Sequence, residues 1–172
     1  METIRIEAQI SQSDFVKLNF FMLYRKPLVL IMTAVGVWLL LVSIAAFLGV
    51  EGYTNPEANL ITPFLIGFCF SVALPLTVLF SARKNYRNHA RVRETMVYAF
   101  DAEKYTVKGD SFSSEMQWPQ THKVVEHKNH VLIYQAKNQV NFIPKRSFDS
   151  EQWESFKSLL QGLSSVKVKL RG

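Results

Sequence analysis

Hydrophobic and polar positions along this chain follow three different patterns. From Pro27 to Val50, and again from Leu60 to Ala82, the chain is continuously apolar: 24 and 23 residues without Asp, Glu, Lys, Arg or His. At ~1.5 Å per residue each helix reaches ~35 Å, enough to cross a ~30 Å hydrocarbon core. The pattern predicts a transmembrane hairpin joined by the loop Glu51–Asn59. Two buried helices of a soluble core are the competing reading, and such helices are rarely apolar on every face for this length.

Ahead of the hairpin the period is two. Ile4, Ile6, Ala8 and Ile10 alternate with Arg5, Glu7 and Gln9, which predicts a half-buried strand. That strand needs a partner, and the one candidate sheet lies at the far end of the chain. Ser11 or Ser13 then caps a helix whose apolar face is Phe15, Leu18, Phe21 and Met22. Lys17 and Arg25 suit the polar edge of a helix lying at the membrane surface. After the second apolar run, Ser81–Thr95 stays helical, with Arg83, Arg87 and Arg91 at i, i+4 and i+8 forming one stripe.

Period two returns from Thr95. Met96, Tyr98 and Phe100 alternate, and Tyr105 with Val107 follow a turn at Asp101–Glu103. Phe112, Ser114, Met116 and Trp118 share a face up to Pro119, after the Gly109-Asp110 turn. Val124 or Val125 marks a further strand, then His130–Gln135, a Lys137-Asn138 turn and Gln139–Ile143. Short strands at hairpin spacing predict an antiparallel meander of about six strands. Asp149 as N-cap with Gln152 three positions on makes a capping box, and Phe148 with Trp153 a hydrophobic staple. Trp153, Phe156, Leu160 and Leu163 form the buried stripe of this closing helix, and Gly162 marks its end. Val166, Val168 and Leu170 alternate with lysines, as an edge strand or a basic tail.

The predicted fold is thus a membrane α-helical hairpin plus an α+β cytoplasmic domain, a small antiparallel sheet closed by one C-terminal amphipathic helix. Its divisions are 1–26 (strand and interfacial helix), 27–82 (spans 27–50 and 60–82), 83–94 (basic linker helix) and 95–172 (cytoplasmic domain). Inside the hairpin, Ala45-x3-Gly49 and Gly67-x3-Ser71 permit close helix approach, within the hairpin or in a homo-oligomer. Pro75 cannot donate to the Ser71 carbonyl, so a kink is expected there, whereas Pro63 falls in a first turn where a missing N–H costs little.

Charge adds an orientation. Arg25 and Lys26 precede the first run, and Arg83, Lys84, Arg87, Arg91 and Arg93 follow the second, while the loop holds Glu51 and Glu57 and no basic residue. The excess of basic residues marks the cytoplasmic side of a multi-pass membrane protein, so both termini are expected there. The first run is too long, and the leader before it too extended, for a cleaved signal peptide. Of the net +6, residues 1–93 carry nine basic and five acidic groups, so the excess gathers at the membrane junction. That reads as topology and attraction to lipid heads rather than nucleic-acid binding. The single Cys69 rules out a disulfide framework and reads as an apolar filler at membrane depth.

The strand-rich half carries a resemblance. Two spans precede a Trp118 ahead of the His122–His127 segment, a Val131–Tyr134 strand, and the run Ile143-Pro144-Lys145-Arg146 before Phe148 and the closing helix. In these features most of the chain resembles the YcxB-like membrane proteins of bacteria. The resemblance implies a pleckstrin-homology-like cytoplasmic domain and brings no active-site residues.

Little here points to catalysis. His122, His127 and His130 with Glu126 are the one metal-like group, yet on a strand His122 and His127 face opposite ways. There is no glycine-rich phosphate loop, nucleophile elbow or supported Cys–His pair, so catalytic, cofactor and metal residues are all expected to be none. The candidate binding residues are Arg83, Arg87 and Arg91 as a ladder for lipid phosphates, and Lys145 and Arg146 as a contact for phosphate or an acidic peptide. The leading functional reading is a non-enzymatic binding or regulatory module that presents its domain to lipid heads or a protein partner. An immunity protein against a toxin is the alternative. The topology is open to a direct check: tags fused to Met1 and Gly172 should be shielded from impermeant reagents in intact cells, and labelling of either from outside would overturn the hairpin scheme.

Overall fold

The computed structural model describes residues 3–53, 59–136 and 139–170. Glu57 of the predicted loop and the predicted Lys137-Asn138 turn lie outside those residues. The chain divides into two compact units: one holds the residues up to Asp14 together with those from His89 onward, and the other is Phe15–Asn88.

In the second unit, α1 (Gln12–Tyr24) leads in, and its Phe15 ring packs 6.0 Å from Tyr86. Helix α2 (Pro27–Phe47) begins on a proline, where the missing N–H has no intrahelical acceptor to lose. Lys26, just before it, is held extended (φ −82°, ψ 117°). The helix ends at Phe47, short of the expected Val50, because Gly49 turns to φ 73° and the chain leaves the helical path.

The second apolar helix runs Ile61–Asn88, beyond the expected 60–82, as α3 (Ile61–Phe68), a π-helical turn (Cys69–Ala73) and α4 (Leu74–Asn88). The π turn answers the expectation placed on Pro75. Widening the ladder upstream moves the Ser71 carbonyl out of the proline ring's way. Both helices are long and apolar enough to cross a membrane.

Glycines decide how this hairpin packs. A Cβ built on Gly67 would lie 2.6 Å from the Leu40 nitrogen and 2.8 Å from the Gly36 carbonyl, and one on Gly36 would lie 2.8 Å from the Phe70 Cβ. Gly67 and Ser71 therefore serve contact within the hairpin. Their counterpart on α2 is Gly36, with Ser43 buried further along, and not the Ala45/Gly49 pair. Gly49 lies past the helix with nothing within 4 Å of its Cβ position.

In the other unit, strands β1 (Ile4–Ala8), β2 (Met96–Phe100), β3 (Lys104–Lys108) and β4 (Ser113–Gln117) form one antiparallel sheet in that order. Strand β1 docks as expected, with Ile4 opposite Phe100 and Ile6 opposite Tyr98. A second sheet has the order β7-β6-β5-β8, from β5 (Lys123–Glu126), β6 (His130–Ala136), β7 (Gln139–Pro144) and β8 (Lys167–Lys169). The single sheet expected from the meander is thus two sheets of four. Trp118 belongs to no strand: Pro119 turns the chain into a 3-10 segment, Trp118–Gln120, that separates the sheets. The basic tail is an edge strand, pairing parallel to β5.

Helix α6 (Ser150–Gly162) has the expected capping box, with the Asp149 carboxylate accepting from the Gln152 N–H at 2.7 Å and the Gln152 side chain accepting from the Asp149 N–H at 3.1 Å. The staple forms too, Phe148 against Trp153 at 5.3 Å edge to face. Phe156, Leu159 and Leu160 are buried, about 1.5–3 kcal/mol of hydrophobic stabilisation each. The core centres on Phe100, fully buried, whose ring lies 4.6 Å from Phe156 and 6.3–6.4 Å from Tyr105, Trp118 and Phe148. Gly67→Ala should push the apolar helices apart and cost about 1–3 kcal/mol of hairpin stability, read from unfolding in mixed micelles. A change at the outward-facing Leu41, 60 % exposed, to another aliphatic residue should leave it unchanged.

Candidate functional site: the basic residues and their partners

Of the five basic candidates, Arg83 and Arg87 belong to the helical unit and Arg91, Lys145 and Arg146 to the other. The expected helical stripe is interrupted at His89, which adopts an extended conformation (φ −102°, ψ 101°) between α4 and α5 (Ala90–Arg93). Arg83 and Arg87 belong to α4, whereas Arg91 lies on a separate four-residue helix. There its guanidinium stands 5.1 Å above the Phe112 ring. The same stretch is pinned by Glu94, whose carboxylate accepts from the Ser111 N–H at 3.2 Å; bonds from Ser111 hold its pKa below the ordinary value. A Cβ at Gly109 would lie 2.7 Å from that carboxylate and 2.9 Å from the Phe112 ring, so a side chain there would displace the Glu94 carboxylate or the ring.

Lys145 and Arg146 occupy a short 3-10 turn (Lys145–Ser147) between β7 and α6, and each finds a carboxylate inside the domain. Lys145 pairs with Glu126, a carboxylate 7 % exposed at the end of β5, and its ammonium lies 4.7 Å above the Trp153 ring. Its backbone N–H also bonds the Asn129 carbonyl at 2.9 Å, which ties the turn to the β5–β6 connection.

Arg146 reaches across the chain to Asp14 at 2.5 Å and to the Gln9 carbonyl at 3.3 Å. Asp14 also accepts from the Ser11 N–H at 3.1 Å and the Ser11 hydroxyl at 2.7 Å, while its own N–H donates to that hydroxyl at 3.2 Å. Burial alone would raise the Asp14 pKa, but the donors Arg146 and Ser11 outweigh it and hold the carboxyl at about 2. At these two positions, expected to contact phosphate or an acidic peptide, both charges are matched by the protein's own carboxylates.

Arg83 and Arg87 differ. With Lys84 they line a surface recess beside Phe80 and Asn88, and they have no ionic partner among the described residues. Three positive charges within five residues stand at the C-terminal end of α4, where the carbonyl end of the helix favours cations.

The histidines pack through ring contacts. His127 and His130 stack at 4.9 Å, and His130 stacks on Phe142 at 4.7 Å. Among the described residues no group of three metal-ligating side chains converges. Asp14, in contrast, was not singled out by sequence, and Glu126 was noticed only beside the histidines, not as a partner of Lys145. Glu126 lies 19 positions from its partner and Asp14 132, so neither pair leaves a periodic trace. The one local signal was Ser11 three positions before Asp14, the spacing of a reciprocal helix cap.

The comparisons bear on this same region. Residues 100–160 match the family model of YcxB-like protein. The YcxB-like segment runs from Phe100, the core hub, to Leu160 of α6. It includes Trp118, Glu126, Lys145 and Arg146, while Asp14 lies outside it. No curated protein and no solved structure matches the chain.

The Asp14 cluster carries a pH dependence whose sign is set. A carboxyl depressed from 3.8 to about 2 on folding contributes stability above pH ~3.8 that is lost as pH falls towards ~2. Asp14→Asn should remove that increment from acid unfolding curves read by tryptophan fluorescence. Arg146→Ala at neutral pH should cost about 1.5–3 kcal/mol, the range for a hydrogen bond to a charged group. Equal acid curves for wild type and Asp14→Asn would show that the carboxylate contributes nothing.

Proposed function

We propose that this chain is a two-span protein of the bacterial inner membrane, with both termini in the cytoplasm. It acts by binding rather than catalysis, engaging anionic lipid heads through Arg83, Lys84 and Arg87. The observation that carries the reading is the division of the basic residues. Arg91, Lys145 and Arg146 are engaged within the domain, while Arg83, Lys84 and Arg87 stand without ionic partners among the described residues, at the end of a 28-residue apolar helix. Each cation near an anionic bilayer surface contributes ~1 kcal/mol.

The topology has separate support. Strand β1 precedes both apolar helices and pairs with β2, which follows them. A crossing by both helices must therefore return the chain to the side on which it started. A pleckstrin-homology-like reading of the domain is supported by its two four-stranded sheets and single C-terminal helix packed on their shared core. The outer faces of the apolar helices suit lipid: Leu28, Ile31, Trp38 and Leu41 on α2, and Ile61, Leu65 and Phe80 on the second, are each more than half exposed.

The test is lipid retention. The full chain, taken from nanodiscs of mixed phosphatidylglycerol and phosphatidylcholine into native mass spectrometry, should keep the anionic lipid preferentially. Arg83→Gln with Arg87→Gln should reduce that preference about fivefold per charge removed. Equal retention of both lipids by the wild type would remove the lipid reading and leave a protein partner as the ligand to seek.

A further inference from the structure

The segment Ile4–Asp14 is joined to the rest of its unit in an unusual way. Its chain connection to the sheet it completes runs through the whole of Phe15–Asn88. What holds it in place is a ladder on one edge and a few polar fastenings. The ladder pairs Ile4–Ala8 with Met96–Phe100. At one end, the Gln152 side chain donates to the Arg5 carbonyl at 3.0 Å. At the other, Arg146 grips the Asp14 carboxylate and the Gln9 carbonyl, and the Gln9 side chain donates to the Arg93 carbonyl at 3.0 Å.

The apolar contribution of this segment is small. Ile6 and Ala8 are its only buried hydrophobic side chains among the described residues. The ring cluster of Phe100, Tyr105, Trp118, Phe148 and Phe156 makes its contacts without it. The Arg146 side chain is 57 % exposed, so water can take over its bonds when the grip opens. An edge strand with few buried contacts and solvent-exposed fastenings opens at lower free energy than the core beside it.

We propose that Ile4–Asp14 is a strap that opens as a unit while the remaining domain stays folded, with the Arg146 grip setting how often it does so. The strap ends at the start of α1, where Asp14 caps the helix together with Ser11 and is also the residue that Arg146 holds. The inference concerns the domain's own opening and stands whether or not Arg83, Lys84 and Arg87 bind lipid.

The experiment is amide hydrogen exchange on the full chain in micelles, in a Cys69→Ala background. Arg146→Gln should speed exchange in residues 4–14 about tenfold or more, with β5, β6 and β7 unchanged. A disulfide between Glu7→Cys and Val97→Cys, which face each other in the ladder, should hold the strap down and cancel the effect until reductant is added. Unchanged exchange in 4–14, or an equal rise across β5–β7, would overturn the proposal. Should Arg146→Gln fail to fold, the cross-link with Arg146 intact decides. Slowing confined to 4–14 supports the strap, and uniform slowing or none refutes it.

Discussion

A strand that must come back governs this structure. Ile4–Ala8 has one apolar face and an unpaired backbone, and neither need can be met by the helices that follow it. Both are met by Met96–Phe100, on the far side of two helices of membrane-spanning length. Loop-closure cost grows only slowly with the length of intervening chain, so this distant pairing is affordable. It has two consequences. The two ends of the helical hairpin are bound to the same folded unit, and the domain's first sheet is complete only when residues from both ends are present.

Electrostatics then divides into internal and outward charge. Glu126 is nearly buried and would be costly without Lys145. Asp14 is likewise buried at the start of α1 and is matched by Arg146. The Pro144-Lys145-Arg146 turn thus reads as a fastener: one cation holds the β5–β6 end of the second sheet, and the next holds the returning N-terminal segment. Arg91 is used in a similar way against Phe112. Arg83, Lys84 and Arg87 of α4, by contrast, have no acidic partner among the described residues and stand at the end of a long apolar helix.

The hairpin itself is held by shape. The two apolar helices approach closely at Gly36 and Gly67, where the missing side chains let the backbones meet. Serine and threonine hydroxyls there return to their own helices, Ser43 to the Leu39 carbonyl at 2.8 Å and Ser71 to Gly67 at 2.6 Å.

Much of this was legible in the residues themselves, because it is local. Twenty-odd apolar residues in a row, alternation at Ile4–Ala8, and Asp149 with Gln152 flanked by Phe148 and Trp153 each state their structure within a few positions. Their physics is periodicity, capping and length, and none of it needs a partner to be known. What tertiary structure alone decided was every question of who meets whom. Alternation could not tell one bent sheet from two, since a strand's face says nothing about which sheet it joins. Helical spacing put Arg83, Arg87 and Arg91 on one stripe, and the break at His89 parted them, because residues 89–94 are drawn onto the β3–β4 turn by Glu94 and Arg91. Lys145 and Arg146 looked unpaired in the sequence and are paired in the fold, for their carboxylates lie 19 and 132 positions away and only folding brings them within reach.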